Sequence, residues 1–176
     1  GRVFIEDDSH GLYDLLVMDA YRGHSVPAHL RSQQFFQACA DRLTPDGVMV
    51  VNMHRRQPRY HSDRATIASV FPTCYRFSSA DDVQTSIVCS KSKTPLSAEA
   101  LRKNAEFLQP RFDIDLVALS SRVTTEKDWI GDEVFMDEFA DQDMEQTARE
   151  QNMSCQPECD RDNQRIPVET TPTDPP

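Results

Sequence analysis

A short apolar run stands at the centre of the hydrophobic pattern of this chain. Leu15, Leu16, Val17 and Met18 follow one another without a polar interruption, and Asp19 comes directly after them. An unbroken apolar run of this length is typical of a strand that is buried on both faces of a parallel sheet. Because open α/β sheets bind their ligands at the carboxyl ends of strands, Asp19 is predicted to lie at the rim of a pocket.

A helical pattern separates this run from a second one over residues 48–53. Ser32 is the expected N-cap of the helix, and residues 44–47 (Thr-Pro-Asp-Gly) are expected to form the turn that ends it. Two strands joined by one helix make a βαβ unit, so the fold class is predicted to be α/β. Four apolar side chains recur at helical spacing: Phe35, Phe36, Cys39 and Leu43. The two phenylalanines are interpreted as core, not as a cofactor site.

The rest of the pattern predicts a further helix, an antiparallel hairpin that turns at Asp81-Asp82, and two terminal helices on either side of Pro110. The expected elements are a helix over residues 63–71, strands over 74–77 and 84–89, and helices over 97–108 and 112–123.

The charge is distributed unevenly along the chain. Residues 132–176 carry 13 acidic and 3 basic side chains, and residues 1–131 are balanced, so the C-terminal part holds the whole net charge of −10. Five of the 11 prolines also lie in the last 20 residues. We expect a folded domain over 1–125, a short extension over 126–144 and an acidic, proline-rich, disordered tail over 145–176.

Several classes of partner and compartment are disfavoured by composition. No basic concentration indicates nucleic acid binding, and no apolar run is long enough to span a membrane. The five cysteines are odd in number, and Cys39, Cys74 and Cys89 have apolar neighbours, which favours buried free thiols in the cytoplasm. The chain opens on GRVFIEDD, without a methionine or a signal-peptide pattern, and is expected to be a fragment.

No metal site is predicted. Four histidines fall in expected loops on the ligand side of the sheet, where solvated side chains are the ordinary outcome. A metal site would need convergent geometry and usually a cysteine or carboxylate partner. The histidines are His24, His29, His54 and His61.

Three segments, taken in order, resemble the spermidine synthase family of polyamine aminopropyltransferases. They are YDLLVMDAY over 13–21, VPAHLRSQQFF over 26–36 and LTPDGVMVVN over 43–52. The resemblance implies the second half of a class I methyltransferase-like Rossmann sheet, in which an antiparallel hairpin closes the parallel strands and a helical C-terminal extension follows. The family's glycine-rich turn and ribose-binding acid would precede Gly1. A sheet without that first half would have one edge and one apolar face uncovered.

The resemblance also implies a reaction, the transfer of an aminopropyl group from decarboxylated S-adenosylmethionine to a polyamine without a bound prosthetic group. A protonated amine has no lone pair, so the site must attract a cation and still take its proton, and a carboxylate does both. Asp19 is therefore the expected catalytic base. The alternative is that Asp19 merely caps the next turn. A homodimer is the expected assembly of the full-length protein.

The remaining site residues follow from the same resemblance. Asp19, Tyr21, Asn52 and Tyr75 are expected to bind the polyamine substrate. The nucleotide of the co-substrate is expected to contact Gly1, Asp19 and Ala20.

The chain departs from the family pattern at three positions. Arg22 stands where authentic spermidine synthases have a second acid, Asn52 replaces a glutamine, and Tyr75 is displaced by one residue. A cation at position 22 would repel a polyamine or pair with Asp19. Two alternatives therefore stay open: an S-adenosylmethionine-dependent methyltransferase of the same fold, and a non-catalytic remnant of that fold.

Overall fold

The computed structural model of the chain describes residues 1–20, 26–57, 59–79, 83–125 and 133–139. Within these residues, five strands form one mixed sheet in the order β1-β2-β4-β3-β5. β1 and β2 are parallel, and every other neighbouring pair is antiparallel. The predicted α/β class, with a hairpin that closes a parallel pair, is confirmed. The strands are β1 Tyr13–Met18, β2 Leu43–His54, β3 Thr73–Ser78, β4 Gln84–Ser90 and β5 Val123–Thr125.

Three of the five α-helices in the described residues begin at a side chain that caps their first turn. The hydroxyl oxygen of Ser32 accepts a hydrogen bond from the backbone N–H of Phe35 at 3.2 Å, as its predicted role requires. Ser97 caps the first terminal helix in the same way. The helices are α1 Arg2–Glu6, α2 Gln33–Asp41, α3 Tyr60–Val70, α4 Ala98–Leu108 and α5 Leu116–Ser120. Because α2 connects β1 to β2, the βαβ unit is confirmed.

The predicted helix over residues 112–123 is wrong at both ends. α5 begins only after Asp115, whose carboxylate accepts a hydrogen bond from the backbone N–H of Ala118 at 2.8 Å. At the other end, Val123 opens β5 and pairs with Phe77 of β3. A helix that continued through Val123 would lose this sheet pairing.

The predicted turn over residues 44–47 is also wrong, because β2 runs through it. Tyr13 pairs with Leu43 and Leu15 with Val48, so the β1–β2 register shifts across this stretch. Gly47 permits the close approach, since a Cβ atom there would lie 2.8 Å from the carbonyl oxygen of Tyr13. The four turn-forming residues therefore form an irregular entry into a strand.

β1 is an edge strand in the part of the chain that the structure describes. Leu16 and Met18 pack against the core, whereas Leu15 is 54% and Val17 64% exposed. The prediction that β1 is buried on both faces is wrong because the packed core covers one face of the strand and leaves the other open. Among the described residues, the uncovered edge and apolar face implied by the resemblance are present.

The main hydrophobic core lies between the sheet and the helices α2 and α3. Phe35 and Phe36 are buried in it, as predicted. They pack with Met49 and Val51 of β2 and with Ile67 of α3.

A C-terminal segment over residues 133–139, called the docked segment below, lies against these two helices. The backbone N–H of Gln33 donates to the carbonyl oxygen of Phe135 at 2.8 Å, and the N–H of Phe135 donates to Thr66 Oγ1 at 2.9 Å. The Phe135 ring is 4% exposed, with the guanidinium carbons of Arg31 and Arg59 each 5.5 Å from its centroid. Within the predicted short extension over 126–144, the described residues 133–139 are thus anchored to the folded domain.

The prediction of buried free thiols is wrong for two cysteines. Cys74 of β3 and Cys89 of β4 lie directly opposite each other, with their Cα atoms 4.1 Å apart, and form a disulfide. Cys39 is a free, buried thiol, and burial raises its pKa to about 12 because the thiolate is poorly solvated there. The antiparallel pairing of β3 with β4 is what brings the two disulfide partners together.

Other predictions concern the chain as a whole. Among the described residues, no helix combines the length and the apolar character needed to cross a membrane. The predicted boundary at residue 125 borders a segment that the structure does not describe, and the boundary at residue 144 falls within another. The acidic tail over 145–176 lies entirely outside the described residues. These boundaries stay predictions.

Candidate functional site

The candidate site lies at the carboxyl ends of the two parallel strands. Met18, the last residue of β1, pairs with Val51 of β2, so the residues that follow, Asp19 and Asn52, stand side by side. The side-chain amide Nδ2 of Asn52 donates a hydrogen bond to Oδ1 of Asp19 at 3.1 Å. The structure thus joins two of the predicted site residues, a carboxylate and an amide, at the edge where open α/β sheets bind ligands.

Tyr75 does not join this pair. It lies on β3, level with Val88 of β4 and Val50 of β2, which places it two strands and two residues away from Asn52. With ordinary strand spacings this corresponds to a Cα separation of about 12 Å. Its hydroxyl oxygen accepts a hydrogen bond from the backbone N–H of Leu96. Tyr75 therefore holds the segment that leads from β4 to α4.

The residues expected to bind the nucleotide have structural contacts of their own. Gly1 precedes α1. It lies near Leu30, a residue of the connection from β1 to α2. Ala20 is half-buried and packs against the main core. Tyr21 and Arg22 lie outside the described residues. The roles given to these residues by the resemblance stay predictions.

The sheet places two further residues in line with the site. Ser86 of β4 is directly opposite Asn52, and Phe77 of β3 is directly opposite Ser86. Paired residues of neighbouring strands share one face of a sheet, so Ser86 and Phe77 lie on the same face as Asn52. The pairing of Phe77 with Ser86 is the one expected from the predicted hairpin, whose turn at Asp81-Asp82 lies outside the described residues. Nothing in the sequence indicated that β4, and not β3, is the strand next to β2.

Three of the four histidines named above lie among the described residues. His54 is the last residue of β2, and its Nδ1 accepts a hydrogen bond from the backbone N–H of Arg56 at 3.3 Å. His29 and His61 are exposed, and His24 lies outside the described residues. In the part of the chain that the structure describes, no group of three or more His, Cys, Asp or Glu side chains is arranged to hold a metal ion.

The arrangement has a definite chemical capacity. A carboxylate at the surface attracts a protonated amine and accepts a proton from it. The Asn52 amide bonds to Oδ1 of this carboxylate, which belongs to an exposed residue. The described part of the site is thus suited to a small cationic ligand.

Comparison with known proteins shows what this chain is similar to. No protein-family model matches it. It is 31% identical over 121 residues to the polyamine aminopropyltransferase of Vibrio vulnificus, across 66% of this chain and 40% of that protein. The chain spans less than half the length of the curated relatives it matches. The predicted resemblance to the polyamine aminopropyltransferases is confirmed.

Solved structures agree on the fold. Human methyltransferase-like protein 13 in complex with SAH is 25% identical, with a TM-score of 0.53 over 58% of this chain and 50% of that one. A probable spermidine synthase from Corynebacterium glutamicum has a TM-score of 0.54 at 17% identity, over 77% of this chain and 51% of that one. The methyltransferase-like Rossmann fold predicted from the sequence is confirmed.

Proposed function

We propose that the protein containing this chain transfers an aminopropyl group from decarboxylated S-adenosylmethionine to an amine of a polyamine. The observation that carries the proposal is the hydrogen-bonded pair of Asp19 and Asn52 at the ends of two parallel strands. The similarity to the Vibrio vulnificus polyamine aminopropyltransferase supports the reaction class. A homodimer in the cytoplasm is part of the same proposal.

In the proposed step, Asp19 acts as the general base. The lone pair of the amine nitrogen attacks the methylene carbon beside the sulfonium, and a C–N bond forms. The C–S bond breaks, its electrons stay on sulfur, and a neutral thioether leaves. The proton lost by the attacking nitrogen passes to the carboxylate of Asp19, so charge and atoms balance.

Binding roles for other residues belong to the proposal as well. Tyr21 would contact the polyamine, and Gly1 and Ala20 would lie near the nucleotide. Tyr75 fits its expected role poorly, because its hydroxyl is already bonded to the backbone of Leu96. We therefore assign the polyamine contact chiefly to Asp19.

An S-adenosylmethionine-dependent methyltransferase is the second candidate. The observation that favours it is the structural likeness to human methyltransferase-like protein 13, solved in complex with SAH. The two candidates, the methyltransferase and the aminopropyltransferase, use S-adenosylmethionine and its decarboxylated form, respectively. They differ in whether that co-substrate carries its carboxylate and in which group leaves the sulfonium.

Calorimetric titration of the full-length protein tests the proposal. Decarboxylated S-adenosylmethionine and S-adenosylmethionine are compared, each with and without putrescine, for the wild type and Asp19→Asn. We expect preference for the decarboxylated form, and a turnover about 10²–10⁴-fold lower in Asp19→Asn because the base is lost. Asp113→Asn, at an exposed carboxylate, is the matched control.

Each other outcome assigns a different function. Preference for the carboxylated form, with methyl transfer, would favour the methyltransferase. Binding of neither form would favour a non-catalytic remnant, and the site residues named above would then be wrong.

A further inference from the structure

We propose that Asn52 is a positioning residue, which holds the carboxylate of Asp19 and does not bind the amine itself. This inference rests on the proposed function and changes the substrate-binding role expected for Asn52. The Asn52 Nδ2 group donates to Asp19 Oδ1 at 3.1 Å, so the amide is directed at the base.

The two residues differ in how firmly the fold holds them. Asn52 lies within β2, which has β1 on one side and β4 on the other. It pairs with Ser86 of β4. Its side chain is half-buried. Asp19 comes after the end of the edge strand β1 and is exposed. The better-anchored amide therefore fixes the orientation of the more exposed carboxylate.

The direction of the hydrogen bond decides what this contact does for catalysis. With Oδ1 accepting from the amide, Oδ2 is the oxygen that can accept the proton of an attacking amine. A base held in one orientation reacts faster than one that rotates among several, because the reacting atoms meet more often in the required geometry. The contact thus acts on the rate of the proton transfer more than on amine affinity.

Variants of Asn52 separate positioning from binding. Asn52→Ala removes the donor, and Asn52→Leu removes it at nearly the same side-chain volume without adding a charge. We expect both to lower kcat about tenfold, the worth of one hydrogen bond, with the KM for the amine changed less than about twofold. Asn52→Gln, which keeps the amide on a longer side chain, should recover part of kcat. Asn104→Ala, on the exposed face of α4, is the matched control.

Kinetics of the full-length protein give results that overturn the proposal. An amine KM that rises while kcat stays constant would show that Asn52 binds the substrate directly. A wild-type kcat in Asn52→Ala would show that the contact has no role.

A measurement without turnover keeps this proposal distinct from the proposed function. The carboxyl carbon resonance of Asp19 is recorded by NMR in the full-length wild type, Asn52→Ala and Asn104→Ala, without amine. We expect Asn52→Ala alone to shift it. If the wild type transfers no aminopropyl group, the proposed function is wrong. If the Asp19 resonance is unshifted in Asn52→Ala, the positioning contact is wrong, whether or not the wild type is active.

Discussion

At the scale of single residues, Arg2 and Asp137 form the contact with the clearest effect on charge. Two guanidinium nitrogens of Arg2 lie 2.6 and 2.7 Å from the two carboxylate oxygens of Asp137. These hydrogen bonds lower the pKa of Asp137 because they stabilise its ionised form, and they raise the pKa of Arg2. The pair connects α1 to the docked segment.

The stability of the chain should therefore depend on pH through this pair. A carboxyl with a lowered folded-state pKa stabilises the fold above its unfolded pKa, and this contribution is lost as the pH falls through the folded value. We expect Asp137→Asn to reduce the free energy of unfolding at pH 7 by less than about 1 kcal/mol, since the pair is partly solvated. Urea denaturation from pH 7 to pH 3 should show the difference from wild type shrinking below about pH 4.

The control for this prediction is Asp46→Asn, at an exposed carboxylate of β2. It should follow the wild type at every pH. A difference between wild type and Asp137→Asn that stays constant across the whole range would contradict the charge argument.

Single residues were predictable from the sequence where the signal is local. Ser32 precedes a helical pattern, and Asp19 and Asn52 each end an apolar run, so their positions could be predicted. The pairing of Arg2 with Asp137 spans 135 positions. No local pattern carries such a contact, because it depends on where the fold brings two distant segments.

At the scale of elements, the docked segment is held by side chains of α2, α3 and the connection before α2. Phe135 is its buried anchor, and one of the two guanidinium groups near its ring, that of Arg31, forms a buried ion pair with Asp63 at 2.7 Å. An arginine held in this way presents a fixed cation to the aromatic ring. The segment should therefore contribute to the stability of the two helices.

Removal of the ring tests this contribution. We expect Phe135→Ala to lower the free energy of unfolding by about 3 kcal/mol, because a buried aromatic side chain and its contacts are lost. Hydrogen exchange should also become faster in α3. Phe107→Ala, at a ring that is 73% exposed, should change the free energy of unfolding by less than about 0.5 kcal/mol. Equal effects of the two substitutions would contradict the anchoring role.

Elements were predictable to the extent that their own residues determine them. The hairpin, the parallel pair and the capped helices α2 and α4 follow from periodicity and capping. Residues 44–47 carry strong turn signals, yet they lie within β2 because the backbone of Tyr13 pairs beside them. Val123 closely follows the helix α5 in sequence, yet it pairs with Phe77 of β3 and belongs to the sheet.

At the scale of the whole molecule, the sequence did not show which strand would be at an edge. The apolar run over 15–18 predicts a strand with both faces covered, and it would fit one in a sheet with helices on both sides. In the described part of the chain, Leu15 and Val17 are exposed instead. The backbone groups along the outer edge of β1 are also open to another strand.

An exposed edge with apolar side chains predicts that the 176-residue chain associates with itself. We expect sedimentation velocity to show association that grows with concentration. Among the residues that the structure describes, no other strand pairs with the outer edge of β1, and the strand carries exposed apolar side chains. Val17→Lys should weaken this association, since burial of a lysine at the contact is unfavourable. Val3→Lys makes the same change of charge on α1, where Val3 is 83% exposed, and should leave the association unchanged. A wild-type chain that stays monomeric, or two variants that behave alike, would show that the edge of β1 does not drive association.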